Sequence, residues 1–407
     1  MTTPRTDVGR NGRQAASTDV NSFLDIEARL SERELATRER VRSFVAERIR
    51  PNINAWFDEA VFPREIVPEF AELGLLGMHL KGYGCAGRSA VEYGLACMEL
   101  EAGDSGLRTF VSVQGSLAMS AIHKFGSEEQ KEEWLPRMAK GEAIGCFGLT
   151  EPAAGSDPAG MKTFARRSPD GSGWVLDGRK RWIGLATIAD VAVVWARTDE
   201  EGNPVRGFLV PTDAGGFTAR DITPKLSMRA SIQCDVIFED VRLPEDAMLP
   251  GAKGLGGPFA CLNEARYGII WGAMGAARDC FESARDYALG REQFGKPIGS
   301  FQLVQQKLAN MLIETEKGTL LALHIGRMKD EGTLKPEQIS LGKLNNVREA
   351  IEIAREARTV FGGNGVTLDH PPMRHMANLE SVRTYEGTDE VHTLILGNAI
   401  TGVQAFR

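Results

Sequence analysis

The chain has 407 residues, of which 42% are hydrophobic and 25% are charged, and its formal net charge at pH 7 is −7. This composition is typical of a globular protein with two or three domains or one large composite fold. The negative charge argues against general nucleic-acid or anionic-membrane binding, although a local basic patch can still recognise a phosphorylated ligand.

The N-terminal residues and the cysteines predict the cellular compartment of the protein. Residues 1–24 are polar and lack the apolar core of a signal peptide, so we expect a flexible tail there. The six cysteines form no CxxC pair and no metal-ligand spacing with histidine, which is typical of buried thiols in a reducing compartment. No apolar run reaches the length needed to span a membrane. We therefore expect a cytoplasmic protein without a metal site, with an organellar leader as the alternative.

Residues 25–145 are predicted to form a mostly helical domain. Residues 31–34 have the form of a capping box, apolar residues follow at helical spacing until Pro51, and residues 127–130 repeat this start signal. Residues 82–87 match the GxGxxG pattern, but a dinucleotide fingerprint requires a βαβ unit and this region is helical on both sides. We interpret that stretch as a loop between helices.

From about Cys146 the pattern changes to short β-branched or aromatic runs, with a turn signal at Asp177-Gly178. We predict a β domain over residues 146–255. Long periodic segments then predict a helical domain over residues 256–407. Within it, residues 290–296 match the start of a P-loop, but a proline follows where Ser or Thr must hold magnesium, so this match is accidental.

Three segments carry residues suited to chemistry. Residues 145–157, GCFGLTEPAAGSD, predict a strand and a loop whose amides and hydroxyls can hydrogen-bond a planar heterocycle or a phosphate. Residues 291–298, REQFGKPI, combine an arginine that can pair with pyrophosphate oxygens and an aromatic ring that can cover an adenine. Residues 385–388, YEGT, place Glu386 between an aromatic and a glycine, as suits a general base held close to its substrate.

In this order the three segments resemble the acyl-CoA dehydrogenase family, from about residue 25 to the C-terminus. Residues 81–87, 261–268 and 394–406 are most similar to its glutaryl-CoA dehydrogenase branch. The resemblance implies an α+β multidomain fold with an N-terminal helical domain, a middle β-barrel-like domain and a C-terminal four-helix bundle. It also implies non-covalent FAD, an acyl-CoA substrate, a homotetramer, and an electron-transfer flavoprotein as partner.

The same resemblance assigns flavin contacts to several segments. The implied FAD-binding residues are Phe147, Leu149, Thr150, Gly155, Ser156, Trp182, Ile183, Gly184, Arg291, Gln293, Phe294, Gln302, Gly362, Gly363, Thr388 and Phe406. Gly184 departs from the family pattern, because a threonine often follows Trp-Ile in the dehydrogenases. Trp-Ile-Gly is similar to a short-chain acyl-CoA oxidase branch.

For the substrate, the resemblance makes Glu386 the base that removes the α-proton of the thioester. Arg108 matches the family's carboxylate-binding arginine, and a carboxylate buried without a partner would be prohibitively unstable. Thr109 stands where the glutaryl branch carries serine. The implied substrate-binding residues are Arg108, Thr109, Ser112, Ser156, Asn263, Arg266, Tyr385 and Gly387.

We therefore predict FAD-dependent oxidative decarboxylation of glutaryl-CoA to crotonyl-CoA and CO2. Two enzymatic alternatives keep the fold, namely a short-chain acyl-CoA oxidase and a dehydrogenase that does not decarboxylate its product. A third alternative is a non-enzymatic member that uses the fold as a binding or assembly scaffold.

Overall fold

The computed structural model describes residues 23–405, and its N-terminal part is helical. Serine hydroxyls cap the helices that begin after Ser31, Ser89 and Ser127, and the capping boxes predicted at Ser31 and Ser127 are present. Residues 82–87 form a loop between two helices, as predicted. The helices are α1 (Glu32–Phe44), α2 (Ile53–Glu59), α3 (Val67–Glu72), α4 (Ala90–Gly103), α5 (Ser105–Val111), α6 (Ser120–Phe125) and α7 (Glu128–Ala139), with π-helical continuations at Val45–Ile49 and Ser112–Met119.

A mixed seven-stranded sheet follows. Its strands are β1 (Gly145–Gly148), β2 (Phe164–Arg167), β3 (Gly173–Gly184), β4 (Val191–Thr198), β5 (Val205–Pro211), β6 (Phe217–Asp221) and β7 (Gln233–Pro244). The order is β1-β4-β2-β3-β7-β6, with β5 also paired to β4. β4 runs parallel to β1 and β2, and the other pairs are antiparallel.

The predicted turn at Asp177-Gly178 is wrong, because both residues lie inside β3. The pairing of β3 with β7 shifts register between Leu176 and Gly178, so the glycine marks a bulge. A Cβ on Gly178 would come within 2.5 Å of the Thr163 hydroxyl oxygen. The glycine therefore permits a close approach between strands and does not reverse the chain.

The C-terminal part is again helical, with α8 (Gly256–Gly290), the short hairpin strands β8 (Glu292–Gln293) and β9 (Lys296–Pro297), α9 (Gln302–Asp330), α10 (Pro336–Val360), α11 (Pro372–Val382) and α12 (Asp389–Thr401). The long helices were expected from periodicity. α11 was not predicted, and α8 begins at Gly256, 20 residues before the periodic segment 276–289 that predicts it.

Helix α8 packs closely on α4 because small residues line the contact. A Cβ on Gly94 would lie 2.3 Å from the indole of Trp271, and a Cβ on Gly275 would lie 1.9 Å from the carbonyl oxygen of Met98. A Cβ on Gly272 would likewise lie 1.9 Å from Oε2 of Glu101. The N-terminal and C-terminal helices therefore share one core that has no room for larger side chains at these positions.

Across residues 23–405, no helix combines the length and the apolar character that a membrane crossing requires. The same part of the chain contains no group of three or more His, Cys, Asp or Glu side chains arranged to hold a metal ion.

The α4–α8 contact can be tested with Gly94→Ala. The added methyl group would overlap the Trp271 indole, and overpacking of this kind costs about 1–3 kcal/mol. We expect a lower denaturant midpoint of unfolding. Gly397→Ala in α12, where a Cβ would meet nothing within 4 Å, serves as the matched control. Equal midpoints for G94A and G397A would contradict the packing described for this contact.

Candidate active site

Glu386 lies in the short segment between α11 and α12, and its backbone is left-handed. The φ angle is 54° at Glu386 and 98° at Gly387. A non-glycine residue in this region costs on the order of 1–3 kcal/mol and persists where its surroundings impose it. Thr388 follows directly and caps α12 by accepting a hydrogen bond from the N–H of Val391. The chain therefore turns sharply at the residue that the sequence predicts to be the base.

Two cationic side chains hold the backbone carbonyls of this segment. Lys343 of α10 is buried, and its Nζ donates to the carbonyl oxygens of Tyr385 at 2.6 Å and Gly387 at 2.5 Å. Arg266 of α8 donates from Nε to the carbonyl oxygen of Glu386 at 2.7 Å. Three consecutive carbonyls are thus held by two side chains from two different helices.

The carboxyl group of Glu386 has the properties of a general base. Its Oε2 is buried and makes no hydrogen bond with the described protein atoms. Burial raises the pKa of Glu386, while the charges of Arg108, Lys343 and Arg266 act in the opposite direction, and the net shift is upward. A carboxylate with a raised pKa and an oxygen free of partners is suited to accept a proton from a weak carbon acid.

Arg108 of α5 is fully buried next to Tyr385. Its Nε donates to Oε2 of Glu101 at 2.7 Å, and its Nη2 donates to the Tyr385 hydroxyl at 2.6 Å. The Thr109 hydroxyl lies 3.3 Å from the same phenol oxygen. Arg108 Nη1, Glu101 Oε1 and the Ser112 hydroxyl are buried and make no hydrogen bond with described residues. The neighbourhood of Tyr385 therefore contains unused donors, of which a guanidinium N–H is the strongest.

Sequence reasoning missed Glu101 and Lys343. Glu101 lies two helical turns before Arg108 in the apolar helix α4, and a buried acid in such a segment requires a cationic partner. Lys343 is likewise a buried cation in a helix whose apolar face forms the core. In both cases the signal is a charge within an apolar stretch, but the identity of its partner depends on the tertiary structure.

The predicted flavin loop begins where β1 ends. Phe147 and Leu149 are 7% exposed, and the carbonyl of Thr150 accepts from a neighbouring strand. Behind the loop, Lys180 Nζ donates to the Leu149 carbonyl at 3.0 Å and to Glu151 Oε1 at 2.9 Å. Glu151 also accepts from the backbone N–H groups of residues 162 and 163. A buried ion pair therefore fixes the start of this loop.

Trp182 presents a large aromatic surface near the end of β3. It is 54% exposed and its φ is 63°, a second left-handed non-glycine residue in a predicted site segment. The Ile183 side chain is buried in the sheet core. At Gly184 a Cβ would lie 3.2 Å from a methyl group of Val113, so the position has little spare space.

The predicted nucleotide segment 291–302 stands apart from these groups. Phe294 is 94% exposed at φ 54°, and its ring contacts that of Phe301 at a centroid distance of 6.0 Å. Within residues 23–405, no hydrogen bond, ion pair or ring contact joins this segment to residues 147–156 or 385–388. The remaining predicted cofactor residues in the described chain are mostly exposed, namely Gly155, Ser156, Arg291, Gln293, Gln302, Gly362 and Gly363.

The structure therefore brings one set of predicted residues together and leaves another set separate. Around Glu386 it assembles the predicted substrate residues Arg108, Thr109, Tyr385, Gly387 and Arg266, and Asn263 accepts from Arg266 Nη1 at 3.3 Å. Phe406 lies outside the described residues.

Comparisons with known proteins place this fold in a family of dehydrogenases. The models of the acyl-CoA dehydrogenase N-terminal, middle and C-terminal domains match residues 31–142, 146–241 and 252–401. The chain therefore belongs to the acyl-CoA dehydrogenase family.

Individual relatives show how far the similarity extends. Human mitochondrial short-chain specific acyl-CoA dehydrogenase is 35% identical over 360 residues, which cover 87% of each chain. A crystal structure of glutaryl-CoA dehydrogenase from Mycobacterium smegmatis is 63% identical with a TM-score of 0.93, covering 96% of this chain and 100% of that one. A second M. smegmatis glutaryl-CoA dehydrogenase, in complex with FADH2, is 58% identical with a TM-score of 0.94 and the same coverage.

The free energy of unfolding should depend on the ion pair between Arg108 and Glu101. Glu101→Gln leaves a buried guanidinium without a countercharge, which costs about 3–5 kcal/mol. We expect a strongly reduced denaturant midpoint for E101Q and a smaller loss for the double variant E101L/R108M, because it removes both charges. Glu132→Gln, at an exposed position of α7, is the control. A double variant less stable than E101Q would show that the pair's charge balance is not the determining factor.

Proposed function

We propose that this protein is an FAD-dependent glutaryl-CoA dehydrogenase that oxidises and decarboxylates its substrate to crotonyl-CoA and CO2. The proposal rests on the buried Arg108, whose Nη1 makes no hydrogen bond with the described residues. Its Nη2 donates to the hydroxyl of Tyr385, the residue next to the proposed base. The high identity to two glutaryl-CoA dehydrogenases over nearly the whole chain supports the same assignment.

The side chains and backbone groups at the predicted flavin positions have the chemistry needed to bind FAD. The exposed Trp182 offers a face for the isoalloxazine ring, and the loop after β1 offers amides and the hydroxyls of Thr150 and Ser156. Arg291 and Phe294 offer a cation for pyrophosphate and a ring for adenine. Bound there, FAD would supply the hydride acceptor for oxidation at the substrate β-carbon.

Glu386 is the base in this proposal. Its partnerless Oε2 takes the α-proton of the thioester, and burial keeps the pKa of the carboxyl raised, which strengthens it as a base. After loss of CO2, the protonated Glu386 returns its proton to the dienolate carbon chain. Gly387 has no side chain, and the imidazole of His392 packs in the space that a Cβ there would enter.

Arg108 recognises the far carboxylate of the glutaryl group. Since Glu101 already occupies Nε, the incoming carboxylate meets a guanidinium whose charge is shared, and the remaining donors are Arg108 Nη1 and the hydroxyls of Thr109 and Ser112. Recognition therefore depends on hydrogen-bond geometry as well as on charge. A substrate without the distal carboxylate would leave these buried donors unsatisfied.

The second candidate function is a short-chain acyl-CoA oxidase or a dehydrogenase without decarboxylation. Gly184 favours it, because the threonine often found there in dehydrogenases is missing and its hydroxyl is unavailable to the flavin. Release of hydrogen peroxide under air would select the oxidase. Accumulation of glutaconyl-CoA without CO2 would select the non-decarboxylating enzyme.

The working enzyme is a homotetramer in this proposal, with an electron-transfer flavoprotein as acceptor. The segment 291–302 finds no hydrogen-bonding or ring partner in the flavin loop of its own described chain, and Phe294 and Leu303 are 94% and 74% exposed. A second copy of the chain would cover these side chains and complete the nucleotide site.

Glu386→Gln tests the base. The amide cannot accept the α-proton, so we expect retention of FAD and loss of flavin bleaching when glutaryl-CoA is added anaerobically. Glu331→Gln, an exposed residue after α9, should bleach like the parent protein. Bleaching of E386Q at the parental rate would exclude Glu386 as the base.

Arg108→Ala tests the substrate. Because Arg108 contacts the distal carboxylate in this proposal, the loss in kcat/KM should be at least 100-fold greater for glutaryl-CoA than for butyryl-CoA, or about 2.7 kcal/mol. The ratio between substrates cancels any loss of folded protein. Arg220→Ala, at an exposed position of β6, provides the control. Equal losses on both thioesters would remove the case for a dicarboxylic substrate.

A further inference from the structure

A single lysine links the peptide unit before Glu386 to the peptide unit after Gly387. Lys343 Nζ donates to the carbonyl oxygens of Tyr385 and Gly387, at 2.6 and 2.5 Å, and so spans the residue whose φ is 54°. The lysine comes from α10, far from the segment in sequence, and is 1% exposed. An ammonium group that donates to carbonyls i and i+2 fixes the peptide plane before residue i+1 and the plane after residue i+2, so it limits the backbone rotations of both residues between them.

The other groups near this segment do not replace that contact. Arg266 holds the carbonyl of Glu386 itself. His392 of α12 packs against Gly387, where a Cβ would lie 2.7 Å from its Nε2, but burial lowers the pKa of His392 to about 3 and it stays neutral. Lys343 is therefore the cation that binds both flanking carbonyls.

We propose that Lys343 is a positioning residue, which fixes the left-handed backbone at Glu386 and so aims the carboxylate at the α-carbon of the substrate. This inference rests on the proposed role of Glu386 and adds to it a residue that touches neither substrate nor cofactor. The ammonium charge also favours the ionised carboxylate, because it lies close to Glu386 in a buried site.

The pH dependence involves the charged and titratable groups around the base. Those that face it or its segment are Arg108, Arg266, Lys343, Glu101, Tyr385, His392 and Asp389. Removing the ammonium removes one of three cations that lower the pKa of Glu386. Since the base must be ionised, the acid limb of the kcat profile should then move to higher pH.

The test compares three variants of the full-length flavoprotein. Lys343→Met removes both donor and charge, Lys343→Gln keeps a donor without charge, and Lys343→Arg keeps the charge. For K343M we expect kcat to fall by about 100-fold, as for a small misplacement of a reacting group, with KM little changed. We expect the acid limb of the kcat profile to move to higher pH in K343M and K343Q and to stay in place in K343R.

Hydrogen–deuterium exchange supplies a readout that does not depend on turnover. In K343M, amides of residues 383–392 should exchange at least tenfold faster while the rest of the chain is unchanged, and K343Q should be intermediate. Lys317→Met, an exposed lysine of α9, is the control. If K343M does not fold, the test rests on the acid limb of the kcat profile, which should move to higher pH in K343Q and stay in place in K343R.

Two results would overturn the proposal. One is parental exchange in residues 383–392 together with a parental acid limb in the variants. The other is faster exchange throughout the chain, which would reduce Lys343 to a general stabilising residue. If E386Q stays active while K343M loosens only this segment, the base assignment fails and the positioning contact stands.

Discussion

A fully buried guanidinium at position 108 is tolerated because Glu101 lies 2.7 Å away, and much of the site depends on that pair. Leaving this guanidinium buried without a countercharge would cost about 3–5 kcal/mol, a large share of the net stability of a domain. The pair in turn requires a glycine at position 272, since any side chain there would displace Oε2 of Glu101. Close packing of α4 on α8 is thus a condition for an arginine beside the active site.

Asp104, between α4 and α5, also holds helix α11, which leads into the segment that contains Glu386. Asp104 ends α4, caps α5 and accepts from Arg374 Nη1 at 2.9 Å and from Asn378 Nδ2 at 2.8 Å. Both donors lie on α11, the helix that leads directly into Glu386. Asp104 therefore joins the helix that carries Arg108 to the helix that leads into Glu386 through buried polar contacts.

Local signals in the sequence predicted much of this molecule, and long-range contacts explain what was missed. Capping boxes at Ser31 and Ser127 depend on four neighbouring residues and were predicted correctly. Asp177-Gly178 has the composition of a turn, yet pairing of β3 with β7 overrides it and makes a bulge. Helix α11 was missed because the prolines at 371 and 372 suggest a break, although proline is well suited to the first helical turn.

The candidate site likewise combines residues that local motifs identify and residues that only the tertiary structure identifies. Glu386 and the loop after β1 could be found from short motifs. The partners of the Glu386 segment could not, since Lys343 lies 43 residues away and Arg108 contacts Tyr385 across 277 residues. Charge within an apolar helix predicts that a partner exists, and the fold alone identifies it.

Left-handed backbone occurs in three of the predicted site segments. Ten non-glycine residues among 23–405 have a positive φ, and three of them are Trp182, Phe294 and Glu386, one in each of three separate predicted site segments. For Glu386, buried cations in the same chain offset the cost. Phe294 lies with Gly295 in the two-residue turn between β8 and β9, where positive φ angles of 54° and 76° are the usual geometry of a hairpin. The left-handed backbone of Phe294 therefore depends on local strand pairing, whereas that of Glu386 is held by side chains from two other helices.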